Sequence, residues 1–407
     1  MNPHELNSLH HSLFPQPGRL RRGAMAVIWL LMLTALFASC SRQGGRREAA
    51  HGQRRPDVAR DYTAEAWRAA DSAMAAMSRR EKVGQLFMPA VYARADRATM
   101  ERVGRYIGEC HVGGIVLLRG DIPGARAIAD TLAASCPAGA WVAVDAETGL
   151  AMRLEGTPSI PPAATLGREA DGQGMYDLGH ELARQCRALG INMVLGPVLD
   201  VETLPDGYIG RRSYGSDPVK VAELGVAFAR GLEDGGVASV AKHFPGHGGV
   251  AADTHRRLGV IHRSLAQIEQ TALVPFREYC EAGLSGIMAG HLAVPAIDPE
   301  LRSASLSRPV LTDLLRGDLA FRGLVLTDAL NMKGAVGAGD GTDSSVAAIA
   351  AGADIVIAPA DTEEAIEAVE KAIETGELDE SDVDEHVRRV LFFKYRFARR
   401  QSRDSSE

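Results

Sequence analysis

Residues Val237–His255 read VASVAKHFPGHGGVAADTH. The first five form a short apolar run of the kind found in strands. Lys242 and His243 follow, then a turn at Pro245-Gly246, His247, two more glycines and Asp253-Thr254-His255. A lysine, three histidines and a carboxylate therefore crowd a glycine-rich loop at a strand end. A lone histidine in such a place is most often a hydrogen-bonded loop or core residue. The cluster points instead to an α/β barrel, in which the loops after parallel strands carry the chemistry.

Outward from this stretch, apolar runs alternate with helix-period segments. Leu86–Val91, Gly113–Leu118, Trp141–Val144, Met193–Asp200, Gly286–His291, Leu324–Asp328 and Asp354–Ile357 join Val237–Ala241 as strand candidates. Helices are expected over Thr63–Met77, Ala125–Ala134, Gly174–Leu189, Lys220–Asp234, Leu265–Ala282 with Pro275 as a break, Arg308–Leu319 and Ser344–Ala351. Two more close the chain. The first carries Ala365, Ile366, Val369, Ala372 and Ile373 on one face. The second opens on a capping-box pattern, Ser381-Asp-Val-Asp384, with Val383, Val387, Val390 and Leu391 as its apolar face. Short continuous apolar strands separated by helices mean a buried parallel sheet. About eight of them indicate a single-domain (β/α)8 TIM-like barrel. An open doubly wound sheet is the alternative, disfavoured because no strand runs into a GxGxxG or Walker loop.

With 24% charged and 46% hydrophobic residues among 407, the composition is that of an ordinary globular enzyme. The formal net charge of -7, with no basic block beyond the N-terminus, argues against a nucleic-acid partner. Arg19, Arg21 and Arg22 precede the apolar run Ala24–Ala38, which is short for a membrane span and suits a signal sequence. It ends Leu36-Phe37-Ala38-Ser39-Cys40, similar to a lipobox with Phe37 in place of the usual aliphatic residue. Cys40 would then be lipidated and anchor the protein in the bacterial cell envelope; an ordinary signal peptide or a single anchor helix is the alternative. Residues 1–40 are thus expected to be the targeting segment, 41–61 a flexible tether, 62–400 the catalytic barrel and 401–407 a disordered tail. Cys110, Cys136, Cys186 and Cys280 match no CxxC metal spacing. Cys186 and Cys280 read as buried thiols, and a Cys110–Cys136 disulfide is open.

The expected strand ends carry Asp145, Asp200, Lys242-His243, His291 and Asp328. One charged residue after an apolar run is as often a helix cap or a solvated edge; several in register converge on one mouth. A metallohydrolase of the barrel type would bring an H-x-H, and none occurs. Carboxylates and a proton donor flanked by lysine and arginine suit glycosyl transfer, which requires no cofactor.

The motifs then resemble a known family. KHFPGHG (Lys242–Gly248) followed by Asp253-Thr254-His255 is similar to the bacterial β-N-acetylhexosaminidases of glycoside hydrolase family three. So are VDAETG..MR (Val144–Arg153), GPVLDV (Gly196–Val201), IGRRSYGSDP (Ile209–Pro218), GIMAGH (Gly286–His291) and GLVLTDALNM (Gly323–Met332), in order from about Ala64 to Phe397. The resemblance implies a retaining exo-enzyme that removes terminal β-linked GlcNAc from glycans or peptidoglycan fragments. Asp328 would be the nucleophile. His255 would be the general acid/base, tuned by Asp253, on a glycine-flanked loop that moves as sugar binds. Asp145, Arg153, Arg212, Lys242, His243 and His291 would grip the sugar. Two departures stand out. Thr148 replaces a glycine of the family's D-x-E-G-G, which predicts a shifted loop under Arg153, and Arg211 replaces an acidic residue beside Arg212. The family's larger β-glucosidases carry a C-terminal sandwich; this chain reads as the single-domain branch, expected to be a monomer. A β-glycoside phosphorylase or β-glucosidase on the same scaffold is the enzymatic alternative. A non-catalytic glycan-binding lipoprotein is the alternative outside catalysis.

Overall fold

The computed structural model describes residues 56–404, apart from 205–206, 251–257 and 333–340. Its strands are β1 (Phe87–Met88), β2 (Ala90–Ala93), β3 (Gly114–Asp121), β4 (Trp141–Val144), β5 (Leu154–Glu155), β6 (Met193–Val194), β7 (Ala238–Phe244), β8 (Gly259–Val260), β9 (Gly286–Ala289), β10 (Leu292–Ala293), β11 (Leu324–Thr327) and β12 (Val356–Ile357). A curled parallel sheet runs β11-β9-β7-β6-β4-β3-β2, with β5 added to β3. β1 pairs with β12 in parallel, Phe87 opposite Val356. Hydrogen bonds continue the pairing at both ends: Thr327 N donates to Ile355 O at 3.0 Å, and Val116 N to Pro89 O at 2.9 Å. β1 and β2 are one extended stretch interrupted at Pro89, which has no N–H for a ladder. The expected strand over Met193–Asp200 is shorter than its apolar run, because Pro197 likewise has no donor. Only Val198 resumes, as a bridge to Lys242.

Every residue of β4, β9 and β11 is buried, as in a sheet covered on both faces. The covering helices follow the expected periodicity. Pro218–Asp234 begins with Asp217 accepting from Val219 N and Pro218 in the first turn, where its missing N–H costs nothing. It packs on Gly172–Arg187, where a Cβ on Gly179 would sit 2.2 Å from the carbonyl oxygen of Phe228.

The last helix, Glu380–Asp404, ties the chain together. Against the first helix, Pro56–Ala75, the rings of Trp67 and Phe392 stack at 4.0 Å, and Arg388 lies over Trp67 while binding Asp71. At the base of the sheet Asp354, fully buried, accepts from Val325 N at 2.7 Å and from Arg316, His386 and Arg389. Burial opposes its charge, but the Arg389 and Arg316 guanidinium groups, with the His386 hydrogen bond, hold the carboxyl well below its ordinary range.

Several expectations are corrected. The break in Leu265–Ala282 falls at Thr271–Ala272, between helices Leu265–Gln270 and Leu273–Glu281; Pro275 sits in the tolerant first turn of the second. Asp379, not Ser381, caps the last helix, accepting from the N–H and hydroxyl of Ser381. That helix runs into the expected tail, and the first begins inside the expected tether. All four described cysteines are free thiols. Cys110 is a core residue, its thiol pushed up to about 11 by burial, while Cys280 is only partly buried. Among the described residues no helix is long and apolar enough to cross a membrane. Cys40 and the targeting segment lie outside the described residues.

Candidate active site

A cleft of about 490 Å³ opens where the C-terminal ends of the strands meet; Asp145, Glu147, Arg153, Arg212, Lys242, His243 and Asp328 line it. That volume suits a small ligand. Two consecutive strand residues, Lys242 and His243, both reach it. A regular strand would send them to opposite faces. Here the β7–β9 register slips between Lys242, opposite Met288, and Phe244, opposite Ala289. His243 is the additional residue of a bulge, a device that re-aims side chains beside active sites. The peptides Gly196–Pro197, Lys242–His243 and Phe244–Pro245 are cis.

Lys242 is 2% exposed and lies between two carboxylates. Its Nζ is 2.7 Å from Asp145 Oδ1 and 2.8 Å from Glu147 Oε1. Arg153 donates to the other oxygen of Asp145 at 2.6 Å. Arg212 grips Glu147 through two parallel bonds of 2.8 Å, the strong bidentate form. Burial would raise both carboxyls, but Lys242 with Arg153 holds Asp145 low, and Lys242 with Arg212 holds Glu147 far below the carboxylate range. Lys242 is pushed above its ordinary value by the same two acids, against burial.

Behind this layer lies Asp200, fully buried. It meets His243 Nδ1 at 2.7 Å and accepts from the backbone of His243 at 3.2 Å and of His247 at 2.6 Å. His243 Nε2 faces Arg212 Nη2 at 3.4 Å. Arginine only donates, so this network assigns the proton to Nδ1 and presents Nε2 as an acceptor. Burial lowers His247 to about 4, leaving it neutral at physiological pH. Next to it a Cβ on Gly248 would lie 1.6 Å from the carbonyl oxygen of Val201, so only glycine fits at the root of the loop.

Asp328 follows β11. Its N–H donates to Ala289 O at 2.9 Å and its Oδ1 accepts from Ala329 N at 2.8 Å. Burial raises its carboxyl, but His291, His243, the Ala329 N–H and Lys242 together bring it below the ordinary value.

The structure thus brings together Asp145, Arg153, Arg212, Lys242, His243 and Asp328. His291 differs from its expected place: it is fully buried and is not among the cleft's lining residues. Asp253 and His255 lie outside the described residues. Thr148 keeps the loop in reach despite the lost glycine: its carbonyl accepts from Ile160 N at 2.9 Å, and Arg153 still reaches Asp145. Glu147 is the residue the sequence reading passed over. Its signal was its place two residues after Asp145 in a glycine-terminated loop. Tyr208, tilted against the His247 ring at 5.2 Å, belongs to the same wall.

Residues 78–393 match the glycosyl hydrolase family 3 N-terminal domain. A curated relative named β-hexosaminidase, from Chromobacterium violaceum, is 39% identical over 264 residues, 62% of this chain and 73% of the relative. Among solved structures, a family 3 β-N-acetylglucosaminidase from Paenibacillus is 34% identical with a TM-score of 0.75; the match covers 79% of this chain and 63% of that one. A β-N-acetylhexosaminidase from Beutenbergia cavernae is 31% identical with a TM-score of 0.70, over 78% of this chain and 98% of that one. The family match takes in well over half of the sequence and spans the strands whose ends form the cleft: the chain belongs to glycosyl hydrolase family 3.

Proposed function

We propose that this protein is a retaining exo-β-N-acetylhexosaminidase that releases terminal β-linked GlcNAc from glycans or peptidoglycan fragments. Asp328, ionised at a strand end in the cleft, is the observation that carries this reading; the names of the relatives support the substrate class. The Asp328 carboxylate attacks the anomeric carbon as His255 gives its proton to the departing glycosidic oxygen. This leaves a covalent glycosyl-enzyme and an alcohol. His255, with Asp253 as partner, then takes a proton from water. The water oxygen bonds to the anomeric carbon, the ester to Asp328 breaks, and the β-sugar leaves. Asp145, Arg153, Arg212, Lys242 and His243 bind the sugar's hydroxyls and N-acetyl group, with Glu147 holding Arg212 and Lys242 in place.

The scaffold in this reading is a (β/α)8 barrel forming one catalytic domain. Its staves are β1 with β2, then β3, β4, β6, β7, β9, β11 and β12. The protein acts as a monomer, without a cofactor, lipid-anchored through Cys40 in the bacterial envelope.

The test is hydrolysis of aryl β-GlcNAc and aryl β-glucoside by wild type and Asp328→Ala, with and without phosphate. Turnover of the GlcNAc substrate alone, β-configured product and a loss of about 10⁴-fold in the variant are expected. Turnover of the glucoside alone, or glycosyl phosphate as product, overturns the assignment.

A further inference from the structure

The side chain that follows β9 at the mouth, His291, is fully buried and does not line the cleft. Its Nε2 lies 3.0 Å from the carbonyl oxygen of Ala329, an acceptor only, so Nε2 carries the proton. Its Nδ1 lies 2.9 Å from the hydroxyl of Ser305, which is itself 3.0 Å from that of Ser303. All three side chains are buried. Ala329 is the residue whose N–H holds Asp328 Oδ1. One residue is therefore gripped at both ends, its amide by the cleft carboxylate and its carbonyl by the imidazole.

We propose that His291, oriented by Ser305, is a positioning residue for Asp328: it fixes the Ala329 peptide so that its N–H stays aimed at one carboxylate oxygen and the other is presented to the anomeric carbon. This rests on the reading of Asp328 as nucleophile. The alternative for His291, direct contact with sugar, meets a ring closed off on both nitrogens. In the covalent intermediate Oδ1 becomes the ester carbonyl, and the Ala329 N–H remains its donor. The same arrangement thus serves both half-reactions. A nucleophile misaimed by about 1 Å loses on the order of 100-fold in rate, whereas sugar held by other residues keeps its affinity.

The experiment compares wild type with His291→Leu, His291→Gln and Ser305→Ala. Steady-state kinetics on aryl β-GlcNAc are paired with a ¹³C NMR titration of the Asp328 carboxyl. The leucine variant removes the donor. Glutamine restores an N–H near the position of Nε2. The expected result for His291→Leu is a kcat lower by about 10- to 100-fold with KM within about threefold, and an Asp328 titration moved upward. Glutamine recovers most of both, and Ser305→Ala shows a smaller change in the same direction. His243 and Lys242, which also face Asp328, are unchanged throughout. A purely structural defect would lower the active fraction without moving the titration. A leucine variant with unchanged titration and kcat, or one whose loss lies in KM, overturns the proposal. If the leucine variant does not fold, a glutamine variant indistinguishable from it or a silent Ser305→Ala does the same. A wild type without turnover refutes the reading of Asp328 as nucleophile, while the titration still decides whether His291 governs its carboxyl.

Discussion

Lys242 is the charge on which the cleft's two partly buried acids depend, and Lys242→Met measures that dependence. Methionine keeps the aliphatic volume and removes the ammonium. At separations of 2.7 and 2.8 Å and an effective dielectric of about 20, each attraction is worth about 6 kcal/mol before desolvation. Burying three charges offsets most of that. What the substitution exposes is the cost of leaving carboxylates short of a partner, about 3–5 kcal/mol. Arg153 and Arg212 remain, so the lower end applies. Unfolding entropy of about 2.1 cal/mol/K per residue over about 350 residues is about 0.7 kcal/mol/K, so a loss of about 3 kcal/mol lowers the melting temperature by about 4 °C. The assay is calorimetry at pH 7 on wild type, Lys242→Met, Glu147→Gln and the double variant. The double variant is expected to be less destabilised than the sum, since neither partner is then stranded. Acid adds a check. Asp145 and Glu147 are depressed in the folded state, so their stabilisation is complete above the unfolded carboxyl range and is lost as pH falls through their folded values. Without Lys242 that loss begins at higher pH. A melting temperature within about 1 °C of wild type, with additive single changes, refutes the reasoning.

Other outcomes follow from the same structure. Lys394 is buried, its Nζ donating to Gln85 Oε1 and to the Gly139 carbonyl, and burial lowers it to about 7. Its folded value lies below its unfolded one, so it costs stability below about 7 and that cost fades as pH rises toward 10; Lys394→Met flattens this slope in pH-dependent thermal melts. Gly248→Ala drives a methyl group into the Val201 carbonyl; a loss of about 1–3 kcal/mol in denaturant unfolding is expected, with activity falling as the loop root moves. His255→Ala removes the proposed acid: turnover of a natural glycan falls strongly, and an aryl substrate with an activated leaving group suffers less, read as the ratio of kcat/KM values.

Much of this was legible from residue types at strand ends. Asp145, Lys242 and Asp328 follow apolar runs in a parallel sheet, and the direction of such strands sends their final side chains to one mouth; His243 joins them through the bulge, which no residue pattern announces. Loop residues are harder. Glu147 is three positions past its strand, in the turn that Gly149 closes with φ of 82° and an N–H donated to Ala146 O at 3.0 Å, and it meets Lys242 from there. The motif around His291 looks like its neighbours, yet the ring turns to the Ala329 carbonyl, because a buried carbonyl without a donor is costly and no pattern reveals which one lacks its own. Pro275 misled for a related reason: proline breaks a helix interior but fits a first turn, and the boundary was set elsewhere.

The bulge at His243 carries a consequence for how this site can vary. Two neighbouring codons supply two inward-facing groups, so single substitutions can retune either contact while its neighbour stays put. Length changes behave otherwise. Deleting His243 would give an uninterrupted ladder with Lys242 still opposite Met288 and Phe244 still opposite Ala289, at the cost of the group that the bulge presents to the cleft; a residue deleted or inserted elsewhere in the strand would, with a repeat of two, exchange inside for outside for every side chain beyond it. The loop from Pro245 onward would then leave the sheet from the wrong face. Diversification here should proceed by replacement and not by insertion or deletion, so a library that samples loop length ought to begin beyond Gly248.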